Sequence, residues 1–104
     1  MSKIFKVEAL IASPPTSKCQ EMIGVLEELV RRHPDKLQLL VFRRGIDLFP
    51  DEATEGMKCM MQKNTSVPAC AVNGMFFSSR LVPKLEELEA RVQDVFRTYK
   101  MTGS

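Results

Sequence analysis

The residues best suited to chemistry are Cys19 and Thr16, three positions apart in Thr16-Ser17-Lys18-Cys19 at the start of a predicted helix. A cysteine in the first turn of a helix meets unpaired N–H groups and the positive end of the helix dipole, and both favour the thiolate. Lys18 adds a neighbouring positive charge. We therefore predict that Cys19 is the most acidic thiol of the chain and the fastest to alkylate near neutral pH.

The same cysteine also fits a purely structural role. Cys19 shares one face of the predicted helix with Met22, Ile23 and Leu26, and burial among apolar side chains raises the pKa of a thiol. Free cysteine is also among the residue types most often buried. The sequence therefore leaves two interpretations open, a reactive thiol and the first core residue of its helix.

The other two cysteines are expected to serve packing. Cys59 lies in a methionine-rich segment and should be in the core or half-buried, and Cys70 lies in a short strand that should face the core. Three cysteines without a C-x-x-C pair do not form a disulfide framework, so all three are expected to be thiols. A disulfide between Cys19 and Cys70 stays open, since it depends on geometry. With His33 as the one histidine, no metal site is predicted.

Apolar periodicity divides the first half of the chain into a strand, a helix and a strand. The first strand has a period of two, in which Phe5, Val7, Ala9 and Ile11 alternate with Lys6, Glu8 and Leu10. After the breaker "SPPTS", Thr16 or Ser17 can cap a helix that continues to His33, where its dipole is favourable. The apolar run 36–43 then predicts a central strand covered on both faces.

The second half reads as a helix, a hairpin and a helix. Pro50 and the two acids after it are typical of a helix start, so a helix is predicted from Pro50 to about Lys63. Its apolar side is expected to fill the core with Ala53, Met57, Met60 and Met61. Asn73-Gly74 between two apolar runs predicts a tight hairpin turn. A last amphipathic helix should begin near Pro83.

The order β-α-β-α-β-β-α predicts an α/β fold, a four-stranded mixed sheet with helices on both faces. At 104 residues the chain should form one domain, residues 1–100, followed by a flexible tail at 101–104.

Composition argues against several classes of partner. The formal net charge is +2 and 44% of the residues are hydrophobic, which is typical of a globular domain and favours neither a nucleic-acid nor a membrane partner. No apolar run approaches the roughly 18 residues of a membrane span. We expect a cytoplasmic protein without a cofactor.

Three motifs resemble the thioredoxin superfamily, most closely the short glutaredoxin-like thioredoxins of bacteria and archaea. The first helix opens with a cysteine in "TSKCQEM", Val67-Pro68 precedes the hairpin in "TSVPACAVNG", and a polar turn leads to the last helix in "SSRLVPKLEEL". The resemblance covers essentially the whole chain and implies a thioredoxin-like fold. It also implies that Pro68 follows a cis peptide bond and faces Cys19. Val67, Pro68 and Lys18 would then bind substrate, with the Val67 backbone facing an extended peptide or a thiol.

The chain departs from this family at its redox motif. Thr16 stands where the outer cysteine of C-x-x-C belongs, so the ordinary dithiol cycle, which attacks with that thiolate, is not expected. One hypothesis is a monothiol redox protein in which Cys19 reacts and Thr16 supplies a hydroxyl. The T-x-x-C spacing also resembles the peroxidatic motif of peroxiredoxins. The alternative is a redox-inactive binding module that holds a partner protein with the Pro68 loop and the methionine-rich helix. An accessible Cys19 favours the first, and a Cys19 buried beneath Pro14 and Pro15 favours the second.

Overall fold

The computed structural model describes residues 4–47, 50–63 and 65–101, and its elements follow the predicted order. They are β1 (Phe5–Ile11), α1 (Ser17–Arg32), β2 (Leu37–Arg43), α2 (Glu55–Gln62), β3 (Ala69–Val72), β4 (Met75–Ser79) and α3 (Leu85–Met101). The predicted tail began at Met101, but this residue still belongs to α3. The rest of that tail, 102–104, lies outside the described residues.

The four strands form one mixed sheet in the order β2-β1-β3-β4. β1 runs parallel to β2, with Phe5 opposite Leu37. β3 runs antiparallel to β1, with Leu10 opposite Ala69, and β4 returns antiparallel to β3. The predicted α/β class with a four-stranded mixed sheet and three helices is thus confirmed.

Apolar side chains cover both faces of the central strand β1. One face packs against α1 and α3 in a cluster that includes Phe5, Val7, Ala9, Ile11, Met22, Leu26, Leu29, Leu88 and Val92. The other packs against α2 in a cluster that includes Leu10, Ala69, Ala71, Met57 and Met60. Full burial of a Leu or Met side chain contributes about 1.5–3 kcal/mol, so the two layers account for most of the driving force. The methionines of α2 fill the core as predicted.

The hairpin and the start of α1 follow local signals. Thr16, one of the two predicted caps, is the N-cap of α1, and its hydroxyl oxygen accepts a hydrogen bond from the Cys19 N–H. Asn73 and Gly74 have φ values of 53° and 76°, which is the left-handed pair that a type I′ turn requires. The predicted tight hairpin is therefore confirmed.

The predicted start of α2 at Pro50 is wrong. The helix begins at Glu55 with Thr54 as its N-cap, and Pro50 to Ala53 forms a turn closed by a 3.0 Å hydrogen bond from the Ala53 N–H to the Pro50 carbonyl. A proline followed by acids suits such a turn as well as it suits a first helical turn. The hydroxyl of Thr54 accepts from the Met57 N–H, and this side-chain cap decides where the helix begins.

The last helix begins at Leu85, two residues after the predicted start at Pro83. The carbonyl of Lys84 accepts hydrogen bonds from the N–H groups of Glu87 and Leu88, which closes the first turn. Leu81 lies before this helix and is 67% exposed.

The start of α2 is joined to β1 by a buried carboxylate. Glu8 is fully buried, and its two oxygens accept hydrogen bonds of 2.8 Å from the Thr54 N–H and 2.5 Å from the Thr54 hydroxyl. The same end of α2 packs against the hairpin turn, because a Cβ added at Gly56 would overlap the carbonyl oxygen of Gly74. Glu8 and Gly56 therefore fix the position of α2 on the sheet.

Candidate functional site

The candidate site lies at one end of the sheet, which we call the Pro68 edge and define as residues 12–18, 44–47, 65–68 and 80–84. β1 and β2 end there, since Ile11 pairs with Arg43. β3 begins and β4 ends there, since Ala69 is opposite both Leu10 and Ser79. Each strand is therefore connected to one loop of the Pro68 edge, and α1 begins at this edge.

Cys19 lies just beneath the surface of this edge. The residue is fully buried, although Pro14, Pro15 and Thr16 above it in the loop are exposed. Its sulfur accepts hydrogen bonds of 3.2 Å from the Thr16 hydroxyl and 3.5 Å from the Ala12 N–H. The thiol is thus held by polar groups on its loop side and by the core on the other.

Two opposing effects set the pKa of Cys19. Burial raises the pKa of this thiol, but the hydrogen bond from the Thr16 side chain, together with backbone hydrogen bonds from Ala12 and Thr16, lowers it by more. The net direction is below the ordinary value for a cysteine. The predicted acidity of Cys19 is therefore supported by its contacts, but the predicted contribution of Lys18 is not among the causes.

Cys70 and Cys59 differ from Cys19 and from each other. Cys70 is fully buried as predicted, and burial raises the pKa of its thiol, although a contact with the Ser78 hydroxyl at 3.5 Å opposes the rise. All three cysteines are free thiols, so the disulfide between Cys19 and Cys70, which the sequence left as a possibility, is not formed. The predicted core or half-buried position of Cys59 is wrong, because this side chain lies on the exposed side of α2.

The loop before β3 carries the predicted substrate-binding pair. The Val67–Pro68 peptide bond is cis, as predicted, and Ser13–Pro14 is a second cis bond that the sequence did not predict. The Pro68 carbonyl accepts a 2.8 Å hydrogen bond from the Arg80 N–H. Among the described residues, no group bonds the backbone N–H or carbonyl of Val67, while its side chain packs against the α2 cluster.

Exposed apolar and cationic side chains flank this loop. Ile46 is 51% exposed and Leu81 67% exposed, in the turns that follow β2 and β4. Lys18 on α1, Arg80 after β4 and Lys84 before α3 are exposed as well. Lys18 was a predicted binding residue, but no sequence signal indicated the other two, since their proximity depends on the strand order.

The remaining candidates have structural contacts. His33 is the C-cap of α1, as its predicted dipole role requires, and its Nε2 lies 2.8 Å from a Glu89 carboxylate oxygen on α3. Arg31 and Arg32 both pair with the Glu28 carboxylate, which offsets one of their two positive charges.

The described residues contain neither a metal-binding cluster nor a membrane-spanning helix. Over 4–47, 50–63 and 65–101, no group of three or more His, Cys, Asp or Glu residues is arranged to hold a metal ion. In the same ranges, no helix combines the length and apolarity needed to cross a membrane.

Comparison with known proteins gives a fold relative and no family. No protein-family model matches the chain, and no curated protein matches it significantly. Among solved structures, the chain is similar to the crystal structure of a protein of unknown function from Staphylococcus aureus, with a TM-score of 0.59 and 13% identity. The match covers 89% of this chain and 93% of that chain. At this identity the similarity concerns the fold alone.

Proposed function

We propose that this protein is a thioredoxin-like module that binds an extended segment of a partner protein across Val67, without dithiol redox activity. The β-α-β-α-β-β-α order, the strand order β2-β1-β3-β4 and the placement of α1 and Pro68 at one edge support the thioredoxin-like assignment. The resemblance of "TSKCQEM" and "TSVPACAVNG" to that superfamily adds to it.

The observation that carries this proposal is the state of the Val67 backbone. Its N–H and carbonyl have no hydrogen-bond partner among the described residues, although neighbouring Pro68 is bonded to Arg80. Val67 lies in the loop before β3, an inner strand, and its unpaired main-chain groups can hydrogen-bond the backbone of a peptide that lies across this end of the sheet. Ile46 and Leu81, on the two outer loops of the edge, can contact apolar side chains of such a peptide. The loops are about 14 Å apart, three strand spacings, which about four extended residues span.

The burial of Cys19 supports binding over exchange. Thiol–disulfide exchange needs a sulfur that a substrate can reach, and the Cys19 sulfur is covered by its loop and the core. Thr16 is exposed at the outer position of the motif, and it has a hydroxyl in place of the attacking thiolate. The burial of Cys19, which the sequence analysis used to distinguish the two hypotheses, thus favours the binding module over the monothiol redox protein.

The test is selection of extended peptides from a random displayed library on the full chain, followed by affinity measurement with fluorescently labelled hits. Leu81→Ser should weaken binding about tenfold, the scale of losing one buried aliphatic contact. Met75→Ser removes a similarly exposed apolar side chain at the other end of β4 and should leave binding unchanged. The proposal is wrong if no peptide is enriched, or if both substitutions weaken binding equally.

The hydrogen bonds at the Cys19 sulfur favour one second candidate, a monothiol redox protein. The Cys19 thiolate would attack one sulfur of a small disulfide, breaking its S–S bond and forming a mixed disulfide, while the other sulfur leaves as a thiolate that takes up a proton. Its test is site-resolved alkylation of the native protein near neutral pH. Exposed Cys59 should react first, with Cys19 and Cys70 protected. If Cys19 reacts first, the monothiol candidate replaces the binding module.

A further inference from the structure

We propose that the bound segment is acidic, an extended peptide in which aspartate or glutamate accompanies apolar residues. This inference rests on the proposed peptide-binding function and specifies the chemistry of the partner. It is carried by the distribution of charge around the Pro68 edge, which is much more one-sided than the net charge of +2 indicates.

Three exposed cations of the edge have no counter-charge. Among the described residues, Lys18, Arg80 and Lys84 form no ion pair, whereas cations elsewhere commonly do. Arg43, for example, bonds Asp47 through both its backbone N–H and its guanidinium. Most other cations have contacts of their own, as the following examples show: Arg31 and Arg32 with Glu28, Lys58 with Glu55, Arg97 with Asp94, Lys36 over Phe96 and Arg91 over Phe77.

Asp47 is the one acid in the four segments that define the Pro68 edge. Asp47 accepts from Arg43, and the first turn of α1 contains no acid at all. Glu86 and Glu87 occupy the first turn of α3, where they interact favourably with the dipole of their own helix. The turn with Asp51 and Glu52 lies at the opposite end of β1, because the Glu52 carbonyl accepts a hydrogen bond from Lys6. The edge therefore presents uncompensated positive charge.

The cations are also placed next to the backbone groups that would pair with the peptide. The Arg80 N–H donates a 2.8 Å hydrogen bond to the carbonyl of Pro68, the residue after Val67. The Arg80 side chain therefore begins close to the Val67 backbone. Lys18 lies in the first turn of α1, which follows the loop after β1, the strand next to β3. A peptide paired with Val67 would hold its alternate side chains near these cations and the exposed Leu81. Guanidinium and ammonium groups beside an apolar contact select carboxylates of the bound segment.

The experiment uses two labelled synthetic peptides and the full chain. The acidic probe has the sequence glycine, aspartate, valine, aspartate, phenylalanine, aspartate, glycine, and the matched neutral probe has asparagine in place of each aspartate. Fluorescence anisotropy at low salt should show the acidic probe binding about tenfold more tightly, with a preference that salt reduces. Arg80→Gln and Lys18→Gln should each reduce this preference. Arg31→Gln removes the same charge at the far end of α1 and should leave the preference unchanged.

The outcomes separate this inference from the function on which it rests. Equal binding of the two probes, or an unchanged preference in Arg80→Gln, overturns the acidic assignment and leaves peptide binding intact. If neither probe binds and the random library also yields no peptide, both proposals are wrong. A preference reduced equally by Arg31→Gln would show general attraction to a basic protein, which also overturns the assignment.

Discussion

Two hydrogen bonds, each 3.2 Å long, join the Thr16 hydroxyl to Cys19. The oxygen accepts from the Cys19 N–H and the O–H donates to the Cys19 sulfur. The first contact caps α1, and the second stabilises negative charge on the thiol. One side chain thus links the start of the helix to the chemistry of the buried cysteine.

Thr16→Val should remove both effects at once. We expect the free energy of unfolding to fall by about 1 kcal/mol, the usual loss on removing an N-cap. The pKa of the Cys19 thiol should rise, because the Thr16 hydrogen bond, the contact that lowers this pKa most, is gone. Chemical denaturation and ultraviolet absorbance of the thiolate measure the two changes. Thr16→Ser keeps the hydroxyl and is the control, and equal behaviour of the two variants would contradict the double role of this residue.

Thr16→Cys should create the dithiol activity that the native chain is expected to lack. The substitution puts a sulfur at the exposed N-cap position beside Cys19, where a dithiol pair can form on the helix start. We expect this variant to reduce a protein disulfide with a dithiol reductant, and the native chain to stay at background. Turnover of the native chain that persists in Cys70→Ser would contradict the loss of dithiol exchange.

The close approach of α2 to the hairpin predicts opposite outcomes for two glycine substitutions. Gly56→Ala should destabilise the protein by roughly 1–3 kcal/mol, since the new Cβ would overlap the Gly74 carbonyl oxygen and force backbone shifts. Gly24→Ala in α1 has open space around the new methyl group and should stabilise by about 0.5–1 kcal/mol. Thermal or chemical unfolding measures both. If Gly56→Ala is also stabilising, the contact that positions α2 is looser than described.

These elements show how far the sequence alone could go. The hairpin at Asn73-Gly74 and the cap at Thr16 follow from local conformational preferences, which a short window contains. For α2, Pro50 and Thr54 both fit a helix start in a short window, and Thr54 has a further contact with Glu8, 46 positions earlier, that no short window contains. Glu8 fits the alternation of a strand with one exposed face, but α2 covers that face and buries the carboxylate against Thr54.

The candidate site was predictable only in part, for the same reason. Cys19, Lys18, Val67 and Pro68 could be named from motifs, and the strand order brings their loops to one edge. Whether Cys19 is exposed depended on packing against α1 and the sheet, and Arg80 enters the site only through its pairing with Pro68. A short sequence window contains no information on the packing of Cys19 or on the pairing of Arg80 with Pro68.

Acid should weaken the junction between α1 and α3 at Glu89. The Gln93 hydrogen bond lowers the pKa of this carboxyl; burial opposes it, and a hydrogen bond from His33 lowers it further. Since the folded pKa is the lower one, the stabilisation is complete above the unfolded pKa of about 4.3 and is lost as pH falls through the folded value. Glu89→Gln should therefore flatten the decline of unfolding free energy between about pH 6 and pH 3. An unchanged pH profile would contradict this.

Arg80 should show opposite requirements for stability and binding. It adopts a left-handed backbone conformation with φ of 68°, which costs a non-glycine residue about 1–2 kcal/mol. Arg80→Gly should relieve this and raise the free energy of unfolding by about 1 kcal/mol, while it removes the guanidinium and weakens binding of the acidic probe. Arg80→Ala is the matched control, since it loses the same charge but keeps the conformation, so its binding should fall without a gain in stability. If Arg80→Gly is stabilised and still prefers the acidic probe, the guanidinium is not the group that selects it.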